Sequence, residues 1–251
     1  MVIDRRLGMK FSCCIPTYQP TRTEEAAQRF WAALRSAEPF DEIVVALEAR
    51  DFIDFSITCD LIKEVCPKAK VIEVNPDPTP IEKRLSGGEY FNVAVEASTG
   101  DWISLLCDDD EYNKHNVKIL IQQGDRLKDE AIVYTPYYCL DKEGKLGVFG
   151  PPTQPQQVDM DSLLKVNYLS NSSFVSRRAW EELGGRRKNT CCDWDMWVRA
   201  MKRGIKFNYF PYPIYMQRFY DGSLFMRQRE VWKQKEIYRQ LYLEAGREYK
   251  G

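Results

Sequence analysis

The sequence predicts an α/β fold: a mostly parallel central sheet flanked by helices and followed by a C-terminal amphipathic helix. Apolar runs of strand length, bounded by turn residues, alternate with helical periodicity through roughly the first 140 residues, the pattern of βαβ units. At 251 residues, 44% hydrophobic and 29% charged, the chain can bury the core of such a sheet within one domain.

Strands are expected at Lys10–Ile15, Glu42–Leu47, Lys70–Val74, Trp102–Leu106 and Ile132–Tyr138, where apolar, β-branched and aromatic residues run together. Helices are expected between them, at Glu24–Ser36, Phe52–Val65, Lys83–Ser98 and Asn113–Lys128. The last of these places Val117, Leu120, Ile121 and Leu127 on one face. Asp141-Lys142-Glu143-Gly144 reads as a hairpin turn, and the proline-rich stretch Pro151–Gln157 as a loop. From Asp159 the pattern changes to a smaller half, with a helix at Asp193–Arg203, a strand at Lys206–Phe210 and a final helix at Ser223–Glu244. That helix sets Phe225, Trp232, Ile237 and Leu241 among Arg227, Arg229, Lys233, Lys235 and Arg239. Its basic face suits either a docked helix with a solvated side or an anionic surface.

Composition removes several function classes. Thirty-six basic side chains against 37 acidic ones give a net charge of -1, so nucleic acid is not a favoured partner. The apolar runs are far shorter than the roughly 20 residues of a membrane span. The opening MVIDRRLGMKF lacks the apolar core of a signal peptide, and a cytoplasmic location is expected, with peripheral contact at a membrane surface through the basic helix as the variant. Eight cysteines, two adjacent pairs among them, show no zinc spacing and read as reduced thiols in a chain too long to need staples. His115 is the only histidine, so a zinc protease motif and a Ser-His-Asp triad are unsupported. P-loop and GxGxxG patterns are absent as well.

The richest segment is Leu105-Leu106-Cys107-Asp108-Asp109-Asp110-Glu111-Tyr112, an apolar strand running into four consecutive acids. Ligands of α/β sheets bind at the carboxyl ends of strands. Acids crowded there repel one another, and a hard divalent cation with oxygen ligands relieves them. The same acids also suit the N-terminus of the helix expected from Asn113.

This junction, with Phe11-Ser12-Cys13-Cys14-Ile15-Pro16-Thr17-Tyr18 before it and Cys192-Asp193-Trp194-Asp195-Met196-Trp197-Val198-Arg199 after it, resembles family 2 glycosyltransferases of the GT-A fold. The resemblance covers about Met9 to Arg218. It implies transfer of a sugar, with inversion, from a nucleoside-diphosphate sugar (UDP-sugar by default) to a hydroxyl acceptor such as a glycan or lipid-linked glycan. Mn²⁺ or Mg²⁺ is the implied cofactor. It further implies one GT-A-like domain, with a nucleotide-sugar half at about 9–140, an acceptor half at about 159–220 and the helix at 223–251.

Residue by residue, the resemblance sets Pro16, Thr17 and Tyr18 beside the base and ribose. Glu48 takes the place of the acid that holds the nucleoside, without the usual Gly-Ser after it. Asn92 lies on the donor side of its helix, and Arg84, with Lys83 as its alternative, and Arg218 are assigned to the donor's diphosphate. Aligning Tyr112 puts Asp109 at the principal metal position, with Asp108 second, and also at the donor, and Asp110 in support; Cys107 falls where the pattern has an acid. Asp193 is the implied catalytic base, and Cys192 again replaces an acid. Gly184-Gly185 leads to the acceptor pocket, where Arg186-Arg187-Lys188 reads as solvated basic surface or as a contact to an anionic acceptor. Two other readings stand beside this one. A sugar-phosphate nucleotidyltransferase would show a Gly-rich basic loop after the first strand, which Gln19-Pro20-Thr21-Arg22-Thr23 lacks. A non-catalytic nucleotide-sugar-binding or scaffold protein would explain the two cysteines but not the retention of Asp109 and Asp193.

Overall fold

The computed structural model describes residues 8–18, 20–48, 55–75, 88–140, 146–149, 158–188, 192–219 and 235–248. The sequence's βαβ rhythm appears first as β1 (Phe11–Tyr18), α1 (Glu24–Ser36), β2 (Glu42–Glu48), α2 (Phe55–Val65), β3 (Ala69–Glu73), α3 (Gly88–Glu96) and β4 (Trp102–Leu105). Then follow β5 (Glu111–Tyr112), α4 (Lys114–Gln122), α5 (Gly124–Leu127), β6 (Ile132–Tyr134), β7 (Tyr137–Leu140) and β8 (Leu146–Phe149). The second half supplies α6 (Met160–Lys165), β9 (Phe174–Ser176), α7 (Arg177–Leu183), α8 (Cys192–Lys202), β10 (Phe207–Tyr209), β11 (Tyr215–Arg218) and α9 (Lys235–Glu244).

Seven strands form the central sheet in the order β10-β6-β9-β4-β1-β2-β3. Every pairing is parallel except those of β9, which runs antiparallel to both β4 and β6. Both faces are covered, so the strands are apolar along their whole length rather than alternating. Along β2, Val44 and Ala46 join one buried cluster, and Ile43, Val45 and Leu47 join the other. Local chemistry supports the helices. Thr23 caps α1 by accepting from the Ala26 N–H at 3.1 Å, two acids fill its first turn, and Phe30, Ala33 and Leu34 face the sheet.

Three expectations change. The first strand does not end at Ile15: β1 continues through Tyr18, pairing Pro16 with Ala46 of β2. The proline is tolerated because β4 pairs only as far as Cys14 with Leu105, leaving that edge free. The run Ile132–Tyr138 is two strands, because the chain leaves the central sheet at Thr135-Pro136 and enters a second one, of order β5-β11-β7-β8. The helix expected over Asn113–Lys128 breaks after Gln122, and the next one starts at Gly124, which lies against the Phe11 ring. β9 is only three residues long, and Phe174 within it sits buried against Phe40 and Phe11, at 5.6 and 6.0 Å between ring centroids. Burying such a ring is worth roughly 1.5–3 kcal/mol, enough to hold a short strand in the centre of a sheet.

The final helix docks on the second half. Leu241 is buried, Tyr238 meets Trp194 edge-on at 5.6 Å, and Glu244 pairs with Arg187 at 2.8 Å. The hairpin turn at 141–144, the loop at 151–157 and the start of the final helix lie outside the described residues. No helix among the described residues is long and apolar enough to cross a membrane. All seven described cysteines carry free thiols.

Candidate active site

The parallel strands bring three of the expected segments to one edge of the sheet. Thr17 and Tyr18 end β1, Glu48 ends β2 beside Tyr18, and Cys107 to Asp110 follow β4. Glu48 is buried and accepts a hydrogen bond from Asn75 Nδ2 at 3.0 Å; the same amide lies 2.9 Å from the Tyr90 hydroxyl. Asn75 holds this place with φ 50°, a left-handed conformation that asparagine tolerates better than most residues. Tyr18 lies at the rim, 46% exposed, and its carbonyl accepts from the Arg22 guanidinium at 2.6 Å.

The acids after β4 divide into two directions. Asp108 turns toward β1 and accepts from Thr17 Oγ1 at 2.6 Å. Burial, and then the charge of Asp109, pushes its pKa up to about 6, against the pull of the Thr17 hydrogen bond and of Arg22. Asp110, 4% exposed, accepts from the Tyr215 hydroxyl and from the Arg218 backbone N–H at 2.7 Å, which ties the acid loop to β11. Burial and the Asp109 charge drive its pKa well above the usual carboxylate range. Ligand atoms of Cys107, Asp109 and Asp110 lie within 4.8 Å of one another, whereas Asp108 stands outside the group. A hard cation prefers oxygen, so the Asp109 and Asp110 carboxylates are the donors that fit Mn²⁺ or Mg²⁺. These acids do not cap the next helix. Asn113 caps it, accepting from the Asn116 N–H at 3.2 Å.

Asp193 occupies the first turn of α8, its Oδ2 accepting from Asn167 Nδ2 at 2.9 Å. Trp194 and Trp197 beside it are core, and Trp194 Nε1 donates to the Leu163 carbonyl at 2.7 Å. The helix is anchored from below. Arg199, 1% exposed, donates through Nε to Asp195 at 2.9 Å, through Nη2 to the Gly185 carbonyl at 2.8 Å, and through Nη1 to the Leu183 carbonyl. The charge thus fastens α8 to the Gly184-Gly185 turn. Gly185 sits at φ 68°, and a Cβ there would meet Asn92 Oδ1 at 2.7 Å.

The remaining expected residues have specific places. Asn92 makes two hydrogen bonds to the backbone of Arg186, 2.8 Å to its carbonyl and 2.9 Å from its N–H, so it ties α3 to the loop before α8. Arg218 binds Glu111 through Nη2, while its buried Nε–H has no acceptor among the described residues. Arg84 lies outside the described residues. The run Arg186-Arg187-Lys188 divides: Arg187 and Lys188 are exposed and paired with acids, Arg187 with Asp195 and Glu244 and Lys188 with Glu89, whereas Arg186 is buried. Sequence reasoning assigned no role to Asn167, Tyr215 or the Asp195–Arg199 pair. Only the last had a signal, its i,i+4 spacing on a helix; Asn167 is 26 residues from Asp193 and Tyr215 is 105 from Asp110.

No protein-family model matches the sequence, and no curated protein matches it. Solved structures do. S. aureus TarS 1–349 matches with a TM-score of 0.64 at 17% identity, over 94% of this chain and 65% of that one. The same protein in complex with UDP-GlcNAc matches with a TM-score of 0.67 at 15% identity, over 94% and 66% of the two chains. Its complex with UDP gives 0.62 at 16%, over 94% and 70%. The chain therefore spans about two thirds of the length of TarS 1–349, and what the two share at this identity is the fold. From the strand order and this likeness we conclude that the chain adopts the GT-A fold expected from its three sequence motifs.

Proposed function

We propose that the protein is a glycosyltransferase that moves a sugar from a nucleoside-diphosphate sugar, UDP-linked by default, to a hydroxyl of a glycan or lipid-linked glycan, with inversion and with Mn²⁺ or Mg²⁺. One observation carries this reading. A nucleoside-side acid, Glu48, a crowded pair of carboxylates, Asp109 and Asp110, and a separately held carboxylate, Asp193, belong to one fold that TarS shares in complexes with UDP-GlcNAc and UDP.

In this reading Glu48, Thr17 and Tyr18 receive the nucleoside. Arg218 presents its unpaired Nε–H to the diphosphate, a charge-assisted contact. A divalent cation held by Asp109 and Asp110 would supply charge neutralisation for the departing diphosphate. Asp193 takes the proton of the acceptor hydroxyl as that oxygen bonds to the anomeric carbon from the side opposite the leaving group. A carboxylate is a modest base, and it suffices because the proton leaves late, once the sugar has become oxocarbenium-like. Asn167 holds the Asp193 carboxylate for this step. In this reading the protein works in the cytoplasm, with peripheral contact at a membrane surface as the variant.

Calorimetry with UDP, GDP, dTDP and CDP, with and without Mn²⁺, tests the reading on the wild type and on Asp109→Asn. One nucleotide should bind in a Mn²⁺-dependent way, and the substitution should weaken it at least about tenfold. Absence of binding by all four in both conditions would return the acid group to a structural role.

A further inference from the structure

The wall between the acid group and Asp193 holds a buried positive charge that the proposed reaction has not used. Arg186 is 3% exposed, and none of the described carboxylates pairs with its guanidinium. Nη1 donates to Cys192 Sγ at 3.7 Å, Nη2 donates to the Asn171 carbonyl at 3.3 Å, and Cζ lies 4.4 Å from the Phe91 ring centroid. The Nε–H is buried with no acceptor among the described residues. Asn171 in turn donates through Nδ2 to Cys107 Sγ at 3.4 Å. Cys107, Asn171, Arg186 and Cys192 therefore form a continuous line from the candidate cation ligands to the residue preceding Asp193.

The fold builds this line deliberately tight. Gly88 packs so closely on it that a Cβ would meet the Arg187 carbonyl at 2.7 Å, Arg186 Cβ at 2.8 Å and Cys192 Cβ at 2.9 Å. The two hydrogen bonds from Asn92 fix the Arg186 backbone. A thiol, a carbonyl and a ring face are weak compensation for a desolvated cation, which ordinarily needs an anion.

The inference rests on the donor-site reading above. A sugar whose diphosphate sits at Asp109 and Asp110, and whose anomeric carbon is open to an acceptor activated by Asp193, must lie along the residues that join the two. We propose that the transferred sugar carries a carboxylate, as in a nucleoside-diphosphate hexuronate, and that Arg186 is the specificity-determining residue that receives it. A guanidinium matches a carboxylate with two parallel hydrogen bonds, whereas a hydroxymethyl group in the same place leaves the cation without an anion.

Matched donors differing only at C6 test this on the full chain with Mn²⁺: UDP-glucuronate against UDP-glucose, and GDP-mannuronate against GDP-mannose, by calorimetry, with bare UDP and GDP titrated beside them. In the series whose nucleotide binds, the uronate should bind at least about tenfold more tightly than its neutral partner. Arg186→Met should bring that ratio to near one, and Arg186→Lys should keep part of it. Binding of the bare nucleotide without preference for its uronate overturns the inference and leaves the donor site standing; an unchanged ratio in Arg186→Met does the same. Failure of both bare nucleotides overturns the inference for these donors, and the donor-site reading falls with it only if dTDP and CDP fail as well. Should Arg186→Met not fold, the wild-type ratio decides alone.

Discussion

Replacing Arg199 by methionine is the sharpest test of how α8 is held. The side chain is 1% exposed and bonds Asp195 at 2.9 Å, the Gly185 carbonyl at 2.8 Å and the Leu183 carbonyl. Methionine preserves much of the volume but removes the charge. Among the described residues, Asp195, 6% exposed, then retains Arg187 at 3.3 Å, a side chain that is half exposed and shared with Glu244. Removing one member of a buried pair costs roughly 3–5 kcal/mol, and the two orphaned carbonyls fall within that figure. For a chain of this size each kcal/mol lowers the melting temperature by about 2–4 °C, so a fall of roughly 10 °C is expected. Differential scanning calorimetry reads it directly. Adding Asp195→Asn to Arg199→Met should recover part of the loss, because the stranded negative charge disappears. A single variant within about 1 kcal/mol of the wild type, or a double variant weaker than the single, would refute the argument that this ion pair anchors the helix.

Two further outcomes follow from the site. Asp193→Asn should cut transfer at least about a hundredfold, measured by released nucleoside diphosphate, while nucleotide affinity stays within about twofold; parallel losses in both would mean that Asp193 serves the donor rather than the acceptor. Asp108 predicts a pH effect. Its pKa is raised from the ordinary 3.8 to about 6, so between those values the folded chain binds a proton that the unfolded chain has lost, and stability falls as pH rises through the window. Asparagine keeps an acceptor for Thr17 without the charge. In cation-free buffer Asp108→Asn should therefore melt near the wild type at pH 4.5 and above it at pH 7, by up to ~3 kcal/mol. A gap that does not widen between those two pH values counts against the burial of this carboxylate.

Much of the fold was legible because its signals are local. The apolar runs of β1, β2 and β4 and the Thr23 cap with its two acids each lie within a few residues, and helix and strand follow from them. The breaks were less legible. Pro136 marks the end of β6, but nothing nearby says that the chain then changes sheets, because β7 pairs with β11, roughly 80 residues later. In the candidate site, the acid run after β4 could be read directly, since charge at the end of an apolar strand is itself unusual, whereas Asp193 entered through the resemblance of its segment. The direction of each acid could not. Asp108, Asp109 and Asp110 are neighbours of one residue type, and only Thr17, 91 residues from Asp108, and Tyr215, 105 from Asp110, separate their roles.

The sequence by itself determined the α/β class and the run of acids at the end of an apolar strand, because periodicity and local charge density carry that information; the role proposed for Asp193 rests on the resemblance of its segment to family 2 glycosyltransferases. Tertiary structure alone decided that Arg186 is a buried cation while Arg187 and Lys188 are paired with acids. It also decided that Asn92 is a clasp, and that Cys107 joins Asp109 and Asp110 while Asp108 does not. A charge owes its cost and its use to what packs around it, and those neighbours are brought together from distant parts of the chain.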